Sequence, residues 1–141
     1  MSDTVQVACP ACLAANRVPA ARVSEEPKCG KCGAALLDGA PAELREEQFE
    51  PFISRTELPV LADFWAPWCG PCRAMAPQFE RAAKELKDRV RLVKVNTEEA
   101  QALAARYGIR AIPTLVLFRN GAEVKRASGA MDAGALVRWA A

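Results

Sequence analysis

Six cysteines stand in this sequence in three pairs of identical spacing: Cys9/Cys12, Cys29/Cys32 and Cys69/Cys72, each C-x-x-C. Two thiolates three residues apart can share a metal ion or exchange a disulfide between them. The chain has no histidine. That excludes imidazole general-base catalysis, Cys–His nucleophilic pairs and His-ligated metals. Any metal here needs thiolates or carboxylates.

The third pair sits in Trp68-Cys69-Gly70-Pro71-Cys72, where an apolar strand pattern ends and an amphipathic helix pattern begins. At a helix N-terminus, unpaired N–H groups and the macrodipole favour negative charge. A thiolate at Cys69 is stabilised there, and its pKa falls below the free value of ~8.5. Cys72, three residues on, is placed to resolve a mixed disulfide by internal attack. Gly70 and Pro71 keep the first helical turn clear of bulk. A second metal site is disfavoured, because the first two pairs use up every other cysteine.

Those first pairs, Cys9-Pro10-Ala11-Cys12 and Cys29-Gly30-Lys31-Cys32, are separated by 16 residues. That spacing lies inside the C-x2-C-x15–20-C-x2-C zinc pattern. Four thiolates fill a closed tetrahedral structural site, so one structural zinc per chain is expected on Cys9, Cys12, Cys29 and Cys32. Leu13 follows Cys12 where paired knuckles usually carry glycine. The segment from residue 1 to 38 is shorter than the ~40 residues below which a domain usually needs a staple. We read 1–38 as a zinc-binding module and 39–141 as a second domain, joined through the Gly- and Pro-punctuated stretch Asp38-Gly39-Ala40-Pro41-Ala42.

From Ala42 the pattern alternates. A helix is expected over Glu46 to Ser54, with Phe49, Phe52 and Ile53 on one face. The run Pro59 to Trp65 reads as a buried strand carrying one acid, Asp63. A helix follows over Gly70 to Lys87, with Pro77 inside it; then a strand over Arg89 to Asn96. Asn96 or Thr97 is expected to cap a helix over Glu98 to Tyr107. Thr114 to Arg119 and Ala122 to Ala127 read as strands joined by the hairpin signal Asn120-Gly121. Asp132 caps a last helix through Trp139. A first edge strand is weakly signalled near Ala40–Leu44. Strand–helix alternation implies parallel pairing and the hairpin adds antiparallel strands. The expected class is α/β: a mixed central sheet with helices on both faces, preceded by a small zinc-ribbon-like module.

The run Asp63-Phe64-Trp65-Ala66-Pro67-Trp68-Cys69-Gly70-Pro71-Cys72-Arg73 resembles the active-site segment of thioredoxins. Pro77, Lys94 in VKVN, Ile112-Pro113-Thr114, Gly121 and Gly129 continue that resemblance over roughly Ala42 to Ala141. With its four-cysteine front segment and Asn16-Arg17-Val18-Pro19, the chain resembles the zinc-bearing second thioredoxins of bacteria. The resemblance implies the thioredoxin fold and roles for particular residues. Cys69, Cys72, Asp63 and Lys94 would be catalytic, with Asp63 the proton acceptor for Cys72 and Lys94 beside it. Pro113 would be cis, and Trp68, Gly70, Pro71, Ile112 and Pro113 would bind substrate. Independently, an Asp inside an apolar strand is expensive unless it works or is paired.

Net charge is +2, with 19 basic and 17 acidic residues interspersed, so neither a nucleic-acid stripe nor a polybasic membrane segment stands out. The start lacks an apolar leader pattern and no window reaches the length of a membrane span, so a cytoplasmic protein is expected. The expected activity is reduction of disulfides in client proteins, with a thioredoxin reductase as electron donor, no organic cofactor and a monomeric state. A redox-switched zinc chaperone or adaptor is the alternative, and it would not need Cys69, Cys72 and Asp63. An oxidase or isomerase is opposed by Gly70-Pro71, which puts no imidazole between the cysteines.

Overall fold

The structure, a computed structural model, describes residues 3–141. Its elements are β1 (Thr4–Ala8), β2 (Ala15–Pro19), β3 (Ala42–Glu43), α1 (Glu46–Ser54), β4 (Val60–Trp65), α2 (Gly70–Glu85), β5 (Arg91–Asn96), α3 (Gln101–Arg106), β6 (Thr114–Arg119), β7 (Ala122–Ser128) and α4 (Ala133–Ala140). A short 3-10 turn over Ala20–Arg22 follows β2.

Five strands form the main sheet in the order β3-β5-β4-β6-β7. β3, β5 and β4 run parallel; β6 runs antiparallel to β4, and β7 to β6. Side chains alternate across β4. Val60, Ala62 and Phe64 face α1 and α3, where they join Phe49, Phe52 and Phe118. Leu61 faces α2 and α4, with Met75, Phe79, Leu92, Leu115 and Leu136. Asp63 lies between Leu61 and Trp65 on that second face, which is otherwise apolar. All five phenylalanines of the chain are fully buried. Each contributes about 1.5–3 kcal/mol relative to an exposed ring.

The front segment is a β1–β2 hairpin with Cys9 and Cys29 inside a cluster of its own, beside Val7, Val18, Val23, Leu36 and Leu37. It docks on Arg55–Leu58, the stretch just before β4. Gln6 donates its N–H to Glu57 Oε1 at 2.5 Å, and Glu57 donates its N–H to the Gln6 carbonyl at 2.8 Å. Ala8 N–H bonds Thr56 Oγ1 at 3.2 Å, and the Arg55 guanidinium bonds the Leu13 carbonyl at 2.8 Å. Arg91 holds the linker by donating to the Ala40 carbonyl at 2.8 Å. The docking stretch and Cys69 lie at opposite ends of β4, about 17 Å apart along the strand.

Several boundaries differ from expectation, among them the start of β5, at Arg91 and not Arg89. Helix α3 starts at Gln101 with Ala100 as its N-cap, not after Asn96 or Thr97. The Asn96 side chain instead accepts the Glu98 N–H at 3.0 Å, closing a local turn that competes with helix initiation. Helix α2 ends at Glu85, because Leu86 turns the chain into β5. The edge strand β3 is only two residues long.

Candidate active site

Cys69 is the N-cap of α2, in extended conformation at φ −81° and ψ 113°, and Pro71 lies in the first helical turn. The Cys69 Sγ accepts the Cys72 N–H at 3.2 Å. This sulfur is therefore the group that the helix N-terminus serves, as the spacing predicts. Cys69 and Cys72 are joined as a disulfide. The two residues are almost equally buried, at 4% and 3% exposure, so access does not distinguish them.

Ala66, Cys69 and Cys72 pack with Trp65 and Ile112. The Ile112 carbonyl oxygen is 3.7 Å from Cys69 Sγ, and the Ile112–Pro113 peptide is cis. Trp68 stands beside the pair with 66% of its surface exposed. Its indole N–H donates to the Glu98 carboxylate. Ile112, next to the cis Pro113, thus packs against the disulfide. Glu98 was not legible as a site residue, because the local pattern reads it as the first turn of a helix.

Asp63 is buried to 1% exposure, and its Oδ1 has no protein hydrogen-bond partner. Burial pushes its carboxyl up from an ordinary 3.8 to about 7; Lys94 pulls the other way and Glu43 adds to the rise. Lys94 is opposite Asp63 in the β4–β5 register. No ion pair within 4.0 Å joins them among the described residues. The Lys94 ammonium instead rests over the Trp65 ring, 4.6 Å from its centroid. An acid that titrates near neutrality can take a proton from a thiol and release it again.

At the other end of the molecule the sulfurs of Cys9, Cys12, Cys29 and Cys32 all lie within 4.8 Å of one another. Cys9 and Cys32 sulfurs are 3.5 Å apart, and those of Cys12 and Cys29 3.7 Å. A thiolate tetrahedron around zinc has edges of about 3.8 Å, given a metal–sulfur distance near 2.3 Å. The donor set and spacing therefore fit a metal. The two knuckles repeat one geometry: Leu13 N–H bonds the Cys9 carbonyl at 2.8 Å, and Gly33 N–H bonds the Cys29 carbonyl at 2.9 Å. Leu13 takes the left-handed backbone, φ 66°, that Gly33 takes at φ 81°. The missing glycine leaves the knuckle intact. Leu13 meets the left-handed cost while packing on the Phe49–Phe64 cluster.

The surroundings favour the anion at Cys29 and oppose it at Cys32. The Lys31 N–H and the Asn16 amide approach Cys29 Sγ at 3.3 and 3.5 Å. Backbone bonding from Cys32, countered by burial and helped by Lys31, Asn16 and Cys12, lowers the Cys29 thiol to about 6. The Ala34 backbone lowers Cys32, but Cys9, burial, Cys12 and Cys29 outweigh it and push that thiol up to about 11.

The fold and the helix-capping dithiol define a disulfide oxidoreductase with a four-thiolate module at its back. The family described as Thioredoxin matches residues 40–141, and the one described as Thioredoxin 2, N-terminal matches residues 8–34. This chain belongs to the thioredoxin family. It is 46% identical over 133 residues to thioredoxin C-3 of Corynebacterium nephridii, covering 94% of this chain and 91% of that one. It is 36% identical to the chloroplastic M-type thioredoxin of Chlamydomonas reinhardtii, over 86% of this chain and 89% of that one. Among solved structures, spinach chloroplast thioredoxin f aligns with a TM-score of 0.67 at 32% identity, covering 74% of this chain and 86% of that one. A mutant thioredoxin from Halobacterium salinarum NRC-1 aligns at 0.65 and 36%, covering 72% and 88%. The chain is accordingly a thiol–disulfide oxidoreductase that reduces protein disulfides. No helix among the described residues is long and apolar enough to cross a membrane.

Proposed function

We propose a division of labour within the site. In the reduced protein the Cys69 thiolate attacks one sulfur of a client disulfide, breaking that bond and releasing the other client sulfur as a thiolate. Cys72 then loses its proton to Asp63 and attacks the Cys69 sulfur. The bond between Cys69 and the client breaks, the second client sulfur leaves, and the Cys69–Cys72 disulfide forms. The client gains two electrons and this protein loses two. Trp68, Gly70, Pro71, Ile112 and Pro113 form the surface that receives the client segment, and Lys94 keeps Asp63 from being permanently protonated. A thioredoxin reductase dithiol returns the electrons.

The observation that supports this assignment most directly is Cys69 at the N-cap of α2, accepting the Cys72 N–H. The test is turnover and trapping with a disulfide-bonded client such as insulin. Cys69→Ser should abolish reduction, whereas Cys72→Ser should accumulate a stable mixed disulfide. If Cys69→Ser keeps turning over, the roles are reversed.

The same reading assigns residues 1–38 to a zinc-binding module and 39–141 to the thioredoxin domain. One zinc per chain, held by Cys9, Cys12, Cys29 and Cys32, would supply folding energy and no catalysis, since four thiolates leave no open position. Metal analysis of the purified protein tests it: one equivalent of zinc is expected, and none would refute it. The working state is a cytoplasmic monomer; light scattering and fractionation check those two assignments.

A further inference from the structure

The cross-strand register places three charged residues in one row. Glu43 on β3 is opposite Lys94 on β5, and Lys94 is opposite Asp63 on β4. The row continues through Leu115 on β6 to Ala127 on β7. Partners in register point to the same face of a sheet, so Glu43, Lys94 and Asp63 share the face covered by α2. The row runs from a fully buried acid to an exposed one. Its outer end opens because β3 stops after Glu43. A cavity of about 310 Å³ lies there, lined in part by Glu43, Lys94, Asn96 and Glu99.

The other groups on this face are accounted for. From α2 the inward residues are Met75, Phe79, Ala82 and Ala83, and the titratable one is Cys72; α4 contributes Leu136 and Ala140. On β7, Lys125 is engaged with the Trp139 ring, 4.5 Å from its centroid. Lys94 and Glu43 are therefore the two fixed charges on neighbouring strands that Asp63 senses, and neither is within ion-pair distance of the other or of it among the described residues.

We propose that Glu43 is a positioning residue for the resolving step, setting through space the pH at which Asp63 takes the Cys72 proton. This rests on Asp63 being that acceptor. The step balances: the S–H bond of Cys72 breaks, its proton passes to the Asp63 carboxylate, the sulfur pair forms the new bond to Cys69, and the departing client sulfur keeps the electrons of the broken bond. Asp63 must then return the proton to solvent before the next cycle. Lys94 favours that release and Glu43 opposes it. The lowering of the Asp63 carboxyl by Lys94 and its raising by Glu43 agree with this balance.

Two strand spacings separate Glu43 from Asp63, about 10 Å. One unit charge at that distance in water shifts a carboxyl by about 0.3 pH unit at low salt. The experiment is pre-steady-state decay of the mixed disulfide with a disulfide-bonded client across pH, in the full chain. Glu43→Gln should lower the midpoint of the resolution profile by about 0.3 unit, and Glu43→Lys by about twice that. At 1 M salt, where the screening length is about 3 Å, both should converge on the parent. A residue that only held β3 in place would change the melting temperature and leave the midpoint unmoved. If neither variant moves the midpoint while Asp63→Asn removes the pH dependence, the role of Glu43 is refuted and Asp63 stands. If Asp63→Asn keeps the parental profile, Asp63 is not the acceptor and both assignments fall.

Discussion

Asp63 and Lys94 face each other in register across β4 and β5, yet the lysine ammonium lies on the Trp65 ring rather than on the carboxylate. The acid is thus left buried without a direct countercharge, and its Oδ1 without a protein partner. The energetic consequences of that arrangement can be measured.

The first concerns stability. In the disulfide state Asp63 titrates near 7 against an ordinary 3.8. The folded value is raised, so the fold favours the neutral acid. The contribution is complete below the unfolded value and is lost as pH rises through the folded one. Asp63→Asn should match the parent near pH 3 and exceed it above pH 7, by up to about 4 kcal/mol. Denaturant titrations of the oxidised proteins at the two pH values check this; an equal gain at both would contradict it.

Removing the lysine should act in the opposite direction. In Lys94→Met the apolar stem still covers Trp65, but the charge that lowers the Asp63 carboxyl is gone. Asp63 should then titrate above 7, by roughly 1 pH unit or more. Resolution near neutral pH should slow, because release of the proton becomes limiting. Carboxyl-carbon NMR of Asp63 reports the titration and single-turnover kinetics the rate.

The exposed indole should depend on its acid partner. Trp68 donates to Glu98, and a hydrogen bond to an ionised acceptor is roughly twice as strong as a neutral one. Glu98→Gln should loosen Trp68 and weaken client docking. Trp68 fluorescence anisotropy and KM with kcat separate these effects; a changed kcat at constant KM would count against the docking role.

Metal removal should unfold the front hairpin and leave the five-stranded sheet folded. A thiolate zinc site contributes about 10–16 kcal/mol at neutral pH in small peptides. Cys29→Ser with Cys32→Ser should therefore lose metal and expose the amides of β1 and β2 to hydrogen exchange, while the five-stranded sheet stays protected. Simultaneous loss of protection in β4 and β5 would show that the front hairpin is integral to the sheet's stability.

What the sequence made legible follows from what carries a residue signature. The three C-x-x-C spacings, the buried strand around Asp63 and the apolar faces of α1 and α2 are written in side chains, and each was found where expected. The start of α3 differs from the expected one, because Asn96 satisfies the Glu98 N–H in a turn as readily as it would cap a helix. The knuckle at Leu13 broke the glycine rule without breaking the geometry, and only the backbone angle reveals it. The joint between Gln6 and Glu57 uses the main chain of Gln6 for both bonds and the main chain of Glu57 for one, and main-chain groups leave little mark on composition. Glu43 had no signal of its own. Its place beside Lys94 depends on a two-residue strand pairing across fifty positions of chain.

The seat of the front hairpin on Arg55–Leu58 gives the molecule a handle and a working end. A surface, bead or fusion partner joined near Asp3 would take hold at the end of β4 remote from Trp68 and Cys69. Many copies anchored this way would all present their dithiols outward, ready for bulky substrates. Crowding at the attachment side would then press on the β1–β2 hairpin, leaving the approach to the disulfide clear.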